Sequence, residues 1–227
     1  MGEVMVTGAT GGIGRAVVTE LAGAGHQVSA VGRDLARLRA VPGVRAVTAD
    51  LARPQRLAEA IEPPGALDAL VHCAGVSVEA IVPVADTSPA VWQETMAVNA
   101  MAAAELTRLM LPALRRSHGH VVFLNSARGV RSVPGWSAFA ASKAALQELA
   151  DSLRAEEAGN GVRVTTIYPG GTATERLRRV RAAFGSDYDP QRCIKPDTLA
   201  AMVAWVLAAP PDAYVSELSV LAAPDRN

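Results

Sequence analysis

The first residues whose spacing suggests chemistry are three glycines near the N-terminus. Gly8, Gly12 and Gly14 lie in TGATGGIG, after an apolar segment and at the start of a helical pattern. Glycine lets the backbone approach a bound group closely, and amide groups at the positive end of a helix bind negative charge. The pattern favours a site for a dinucleotide's diphosphate over a bare turn. The predicted contacts are Gly8, Thr10, Gly11, Gly12, Ile13 and Gly14.

The second apolar segment ends in AVGRD, which favours one dinucleotide over another. A carboxylate at this place normally accepts hydrogen bonds from a ribose 2′-hydroxyl. Here Gly32 stands at the end of the segment and Arg33 follows it. Arginine cannot accept these bonds, but it binds a 2′-phosphate through paired, charge-assisted ones. The sequence therefore favours NADP(H) over NAD(H); the alternative is that Arg33 caps a surface strand.

Short apolar segments alternate with longer amphipathic ones along the chain. The short segments are rich in valine, leucine and isoleucine, as in a parallel sheet that helices cover on both faces. Residues 175–195 fit neither pattern and are expected to form an irregular, flexible substrate flap on a single domain of residues 1–227. We predict strands at residues 3–7, 27–32, 44–48, 66–72, 120–125, 162–168 and 214–221, and helices at 12–25, 34–40, 54–61, 89–116, 137–158 and 196–209.

Composition argues against several classes of partner. The 22 basic side chains balance 22 acidic ones, so no net charge attracts nucleic acid or an anionic membrane. The beginning, MGEVMVTG, lacks a signal-peptide pattern, and no run approaches the ~18 apolar residues of a membrane span. Cys73 and Cys193 are too few and too far apart for a disulfide framework or a zinc site. We expect a soluble, cytoplasmic protein without a metal.

Several motifs, in order over nearly the whole chain, resemble those of the short-chain dehydrogenase/reductase family. TGATGGIG resembles its TGxxxGIG cofactor motif, and FAASK resembles its YxxxK motif. The resemblance implies one Rossmann-type domain with a doubly wound parallel sheet of about seven strands, in a homodimer or homotetramer. It also implies further site residues: Asp50 and Leu51 beside the adenine, Ala74 and Gly75 of an Asn-Ala-Gly-like motif, the helix asparagine Asn99, the strand-end serine Ser126, the motif lysine Lys143, and Pro169, Gly170, Thr172 and Thr174 at the nicotinamide end.

One catalytic group of the family is absent. Ser126 lies thirteen residues before Phe139, and Lys143 lies four after it, so Phe139 stands at the place of the family's catalytic tyrosine. In the family the tyrosine transfers a proton to the carbonyl oxygen, while the serine holds that oxygen. The lysine binds the nicotinamide ribose, and the asparagine supports a proton-relay water. Loss of general acid catalysis typically costs ~10²–10⁴ in rate.

Three explanations of Phe139 remain open at this point. Phe139 is an engineered substitution; or a natural enzyme takes its proton from Ser126, from Tyr188 or from a water held by Asn99 and Lys143; or the protein binds cofactor without turnover.

The predicted function is an NADP(H)-dependent oxidoreductase for a small-molecule carbonyl or alcohol. The alternatives are a regulatory NADP(H)-binding protein and a reductase of activated carbon–carbon double bonds. The chain's end resembles shorter family members that act on hydroxy acids and small carbonyls. The arginines at 176–181 indicate either an anionic ligand group or a solvated helix face.

Overall fold

The computed structural model describes residues 2–77, 81–127, 133–210 and 212–224. These residues form one seven-stranded sheet in the order β3-β2-β1-β4-β5-β6-β7, and every pair of neighbouring strands is parallel. The predicted doubly wound α/β fold is confirmed. The strands are β1 (Glu3–Thr7), β2 (Gln27–Gly32), β3 (Val44–Thr48), β4 (Ala69–His72), β5 (His120–Leu124), β6 (Arg163–Pro169) and β7 (Glu217–Val220).

Helices cover both faces of the sheet, as the apolar strands require. The helices are α1 (Gly12–Gly23), α2 (Leu35–Arg39), α3 (Leu57–Ala60), α4 (Pro89–Met96), α5 (Ala102–Ser117), α6 (Ser137–Glu157), α7 (Glu175–Ala183) and α8 (Pro196–Leu207). One core joins β1 to α1 and α8 through residues such as Val6, Leu21 and Val203. The other core joins the opposite face to α5 and α6, where Met110 and Leu146 are buried.

The predicted helix at 89–116 contains a local change of winding. Between α4 and α5 the chain makes a π turn over Ala97–Met101, and Asn99 lies in the middle of this turn. The Asn99 amide nitrogen donates to the Val76 carbonyl at 2.9 Å, and its amide oxygen accepts from the Val76 N–H at 2.7 Å. Turns of this kind often occur at functional sites. The change of winding turns Asn99 toward the loop that follows β4.

The expectation of an irregular segment at 175–195 is wrong for its first nine residues, which form α7. Thr174 caps this helix, because its hydroxyl oxygen accepts from the Leu177 N–H at 3.2 Å. One turn on, Arg178 makes two hydrogen bonds to the Glu175 carboxylate, at 2.8 and 2.6 Å. A cap and an ion pair at helical spacing therefore compensate for a nearly complete lack of buried side chains on α7.

Candidate active site

The glycine turn after β1 is required by the packing of the chain itself. Gly8 has a φ of +65°, and a Cβ there would lie 2.7 Å from the Ala74 backbone. A Cβ on Gly14 would lie 2.2 Å from the Gly8 carbonyl oxygen, and a Cβ on Gly12 would lie 2.7 Å from the Thr174 methyl group. The sequence pattern predicts that these glycines let a diphosphate approach the backbone closely. The structure adds that three chain segments meet at this turn.

The same turn fits a negatively charged group. The N-cap of α1 is Gly11, which has no side chain to bond the first amide groups, and the first turn contains no acidic residue. Those N–H groups have no acceptor within the helix, and together with the helix dipole they form an anion site. The turn opens on a cleft of about 680 Å³ that is lined by all six predicted turn residues, Gly8, Thr10, Gly11, Gly12, Ile13 and Gly14. This volume is typical of a ligand pocket.

The cleft lies at the carboxyl end of the strands, where the sheet order reverses. From β1 the chain goes to β2 and β3 on one side and then to β4 on the other. Ligands of open α/β sheets bind at such a point. Asp50, Leu51, Ala74 and Gly75, for which the family resemblance implies cofactor contacts, line this stretch. The Asp50 carboxylate accepts from the Ala52 N–H at 3.1 Å, which fixes the loop after β3.

Two arginines stand at one end of the cleft. Arg33 and Arg37 both line it, and Arg37 donates from its guanidinium to the Thr10 carbonyl at 3.1 Å. The neighbouring Asp34 carboxylate caps α2, because it accepts from the Arg37 N–H at 3.0 Å. Gly32, at the end of β2, offers no side chain to a ribose. This end therefore presents positive charge where an NAD site usually has a carboxylate.

Lys143 lies beside Gly75, a residue that lines the cleft, and is half-buried. Its ammonium donates to the Leu124 carbonyl at 3.1 Å, and its Nζ lies 3.8 Å from the position of a Cβ on Gly75. Burial, with a smaller contribution from the positive charge of the nearby Arg176, lowers the pKa of Lys143 to about 7. Burial in turn raises the pKa of the Cys73 thiol to about 12, so this cysteine stays neutral.

Asn99 faces the same point as Lys143. Its Oδ1 lies 3.3 Å from the Cβ position of Gly75. Its amide nitrogen donates to Ser142 Oγ at 2.9 Å as well as to Val76. Ser142 in turn donates to the Phe139 carbonyl at 2.8 Å. Asn99 thus uses both donor hydrogens to hold α6 and the loop after β4, and one lone pair of Oδ1 is left for a water.

Ser126 lies just beyond β5 and is half-buried. Its neighbour Asn125 holds this strand end against α6, because the Asn125 amide donates to the Lys143 carbonyl at 3.2 Å. The Asn125 N–H donates to the Ile167 carbonyl of β6 at 2.9 Å. Ser126 is therefore placed on the same sheet edge as the turn of α6 that carries Lys143.

Phe139 is buried, one helical turn before Lys143 on α6. Its ring stacks on Trp136 with centroids 4.3 Å apart and an interplanar angle of 24°. Phe184, at the end of α7, meets the other side of this pair edge-on, 5.5 Å from Trp136. Trp136, Phe139 and Phe184 form what we call the aromatic cluster. It joins α6 to the segment that follows α7.

The segment after β6 places only part of its predicted residues at the cleft. Thr174 lines the cleft, whereas Pro169 and Gly170 bond β6 to β7; the Gly170 N–H donates to the Val220 carbonyl at 2.7 Å. Thr172 is buried, and its hydroxyl donates to the Gly170 carbonyl at 3.1 Å. These three residues shape the turn that carries Thr174 to the glycine turn.

The comparison with known protein families agrees with this geometry. Residues 3–184 match the family model described as short chain dehydrogenase. The chain belongs to the short-chain dehydrogenase/reductase family. Among relatives, it is 38% identical over 205 residues to dehydrogenase/reductase SDR family member 7B of Bos taurus. That match includes 82% of this chain and spans 62% of the bovine protein's length.

Solved structures of the short-chain dehydrogenase/reductase family share the whole fold. A metagenomic short-chain oxidoreductase in complex with NADP is 29% identical, with a TM-score of 0.80 and 98% of each chain covered. The closed form of serine dehydrogenase complexed with NADP⁺ is 25% identical, with a TM-score of 0.84, 96% of this chain and 94% of that chain covered.

Several residues that line the cleft were missed from the sequence. Arg37 follows Arg33 by four positions, a helical spacing that would have indicated it. The α7 arginines Arg176 and Arg179 also line the cleft; for these the sequence left open either an anionic ligand group or a solvated helix face. Over the described ranges, His, Cys, Asp and Glu side chains form no cluster of three suited to a metal ion. Within the same part of the chain, no helix has the length and apolar character needed to span a membrane.

Proposed function

We propose that the protein is an NADP(H)-dependent oxidoreductase that transfers hydride between the nicotinamide and a carbonyl or alcohol carbon. The observation that carries the proposal is that the Lys143 ammonium lies next to Gly75, a residue that lines the same cleft as the glycine turn. Gly75 lines this cleft beside the turn, and Lys143 Nζ lies 3.8 Å from its Cβ position. Related structures that contain NADP support the choice of cofactor.

Each part of the cleft would bind a different part of the dinucleotide. The free amides of Gly12 and Ile13 would hold the diphosphate, and Arg33 with Arg37 the 2′-phosphate. Asp50 and Leu51 would border the adenine, and Ala74, Gly75 and Thr174 the remaining length. The bound cofactor supplies the hydride. In this proposal Pro169, Gly170 and Thr172 do not contact the dinucleotide; they shape the turn that positions Thr174.

The remaining chemistry is the handling of a proton on the substrate oxygen. Ser126 would hold this oxygen with its hydroxyl, and Lys143 would orient the ribose. Phe139 stands where the family has its acid, and a phenyl ring transfers no proton. A water between Asn99 Oδ1 and the Lys143 ammonium is the proton source that best fits the geometry, because both groups face Gly75. Ser126 is a second source, and Tyr188 lies in the exposed segment after α7.

The decisive experiment is to add the missing hydroxyl. Phe139→Tyr is expected to raise the turnover of ketones with NADPH by roughly 10²–10⁴, while the Kd for NADPH measured by calorimetry stays within a few-fold. Phe184→Tyr adds a hydroxyl to the same aromatic cluster and is expected to give no gain. Unchanged turnover in Phe139→Tyr on every substrate of a broad ketone and hydroxy acid panel, with NADPH still bound, contradicts the proposal.

A second candidate function follows from the aromatic cluster. The Phe139 ring is packed against Trp136, so it closes the place of an acid with an apolar surface. Reduction of an activated carbon–carbon double bond needs no strong acid at oxygen and fits such a surface. Faster NADPH consumption with enones than with matched saturated ketones would favour it. NADPH binding without consumption on either class would favour a regulatory protein.

A further inference from the structure

Arg176 of α7 reaches across the cleft to the loop after β4. Its guanidinium donates to the Gly75 carbonyl, and Nη1 lies 3.6 Å from the Cβ position of Gly75. The residue as a whole is exposed, so only the guanidinium end lies inside. Burial of this end, and the nearby Arg179, lower the pKa of Arg176. A guanidinium has been placed where solvent stabilises it poorly.

The other arginines of α7 have acidic partners. Arg178 forms an ion pair with Glu175 at 2.6 Å, and Arg179 lies 3.9 Å from the same carboxylate. Among the described residues, Arg176 makes no ion pair with an acidic side chain, and its bond goes to a neutral carbonyl. Arg176 is exposed, as the alternative of a solvated helix face requires, but its guanidinium bonds the Gly75 carbonyl of another segment.

A second cation faces the same place. Lys143 Nζ lies 3.8 Å from the Cβ position of Gly75, so the ammonium and the guanidinium both lie within 4 Å of one point. The positive charge of Arg176 helps to lower the pKa of Lys143. Two like charges held close to one point repel each other, and an anion placed between them would compensate this repulsion.

The acidic side chains of the cleft do not supply this compensation. The described lining contains Asp50 and Glu175. Asp50 bonds the Ala52 N–H and lies 3.6 Å from Arg53, and Glu175 bonds Arg178. An anionic group of a ligand would supply this compensation.

We propose that Arg176 and Lys143 together bind an oxyanion of a ligand beside Gly75, and that Arg176 is a ligand-selecting residue of the cleft. This inference rests on the proposed function for the identity of the ligands. Two sources carry such an oxyanion: the diphosphate of the dinucleotide and the carboxylate of an oxo acid or hydroxy acid substrate. The planar guanidinium offers paired donors to either.

The first test measures anion binding alone and needs no activity. Calorimetry with inorganic pyrophosphate and with malonate is compared for the wild type, Arg176→Gln and Arg178→Gln. Arg176→Gln is expected to weaken at least one probe by about tenfold or more, since a charge-assisted bond is lost. Arg178→Gln removes an equal charge from the same helix and is expected to change binding less than threefold. Arg176→Lys keeps the charge and is expected to lie between wild type and Arg176→Gln. Circular dichroism confirms that each variant is folded.

The second test distinguishes the two sources. A weaker Kd for NADPH in Arg176→Gln, measured by calorimetry, assigns the oxyanion to the diphosphate. An unchanged Kd, with a KM that rises about tenfold for an oxo acid but not for its methyl ester, assigns it to the substrate carboxylate. The KM values are measured in the Phe139→Tyr background, where turnover is expected to be higher.

The proposal is overturned if Arg176→Gln binds both probes as the wild type does, or if Arg178→Gln weakens them equally. This outcome is separate from a failure of the proposed function. A protein that binds pyrophosphate through Arg176 but consumes no NADPH retains the anion site and loses the oxidoreductase assignment.

Discussion

The chemistry of the cleft depends most on the protonation of Lys143. Its pKa of about 7, lowered chiefly by burial, makes the ammonium and the neutral amine comparable in amount near neutral pH. A dinucleotide brings negative charge, which favours the ammonium form. Binding should therefore draw a proton onto Lys143 whenever the solution lies above pH 7.

Cofactor affinity is expected to fall as the pH rises from 7 to 9. Below the pKa the ammonium is already formed, and above it each binding event must take up a proton, so the loss approaches about tenfold per pH unit. Calorimetry in two buffers of different ionisation enthalpy measures the uptake directly. Lys143→Gln is expected to remove the uptake, whereas Lys195→Gln, at the exposed start of α8, is expected to keep it. Equal uptake in both variants would contradict the assignment.

The arginine pair at the other end of the cleft should set the choice of dinucleotide. Loss of one charge-assisted contact in Arg33→Ala or Arg37→Ala is expected to weaken NADPH by about tenfold and NADH by less than threefold. Arg39→Ala, at the exposed end of α2, is the matched control. If NADPH and NADH weaken equally, the arginines act on something other than the 2′-phosphate.

At this scale the sequence indicated which residue types matter but not all of their contacts. The glycine turn, Arg33, Asp50 and Gly75 line one cleft, and their contacts with a cofactor stay predictions. The roles of Ser126, Asn99 and Phe139 stay predictions. The bond from Arg176 to Gly75 could not be predicted from the sequence, because it joins residues of α7 and of the loop after β4. Such long-range approaches depend on the whole sheet.

At the scale of the elements, helix α1 has no room for a side chain near its beginning. Gly14 lies so close to the Gly8 carbonyl that a Cβ would be 2.2 Å away, whereas a Cβ on Gly23 would meet nothing within 4 Å. One helix thus contains a glycine that packing requires and one that it does not.

The two glycines give a matched pair of variants. Gly14→Ala is expected to lower the free energy of unfolding by about 1–3 kcal/mol, because the backbone must shift. Gly23→Ala is expected to raise it by about 0.4–1 kcal/mol through the unfolded chain. Urea denaturation measures both. A neutral Gly14→Ala would show that the turn relaxes without cost.

Element boundaries show where sequence reasoning ends. The first three strands were predicted to the residue because valine-rich segments there are bounded by glycine or polar residues. The π turn was not predicted, since its cause is the pair of bonds between Asn99 and Val76. Helix α7 was missed because its arginines carry no apolar period, and Thr174 with Glu175 stabilises it locally.

For the molecule as a whole, two buried histidines link stability to pH. His72 bonds Thr107 at 3.0 Å and stacks on Phe123 with centroids 4.9 Å apart. His120 bonds Thr165 at 2.7 Å. Burial lowers the pKa of each to about 3, with Arg163 contributing at His120. Because an unfolded histidine titrates near 6.5, the unfolded chain binds more protons between pH 6.5 and about 3.

The free energy of unfolding is therefore expected to fall as the pH falls through 6.5. Each histidine contributes up to about 1.4 kcal/mol per pH unit in this window. His120→Gln keeps an amide donor for Thr165 and is expected to reduce the slope measured by urea denaturation between pH 6.5 and 4. His118→Asn, at an exposed position with a φ of +49°, serves as the control. An unaltered slope in His120→Gln would contradict the prediction.

Assembly into homodimers or homotetramers and a cytoplasmic location stay predictions of the sequence.

The position of the first strand has a consequence for the chain during its synthesis. Strand β1 ends up between β2 and β4, yet Ala69, the partner of Val4, is made only after residues 8–68. Until then one edge of an apolar strand stays open to wrong partners. Strands β5, β6 and β7 each join the strand made just before them, and the stretches between them, residues 73–119, 125–162 and 170–216, are shorter than residues 8–68. Slowing translation across residues 8–68 is expected to reduce the yield of folded protein more than slowing it after His72.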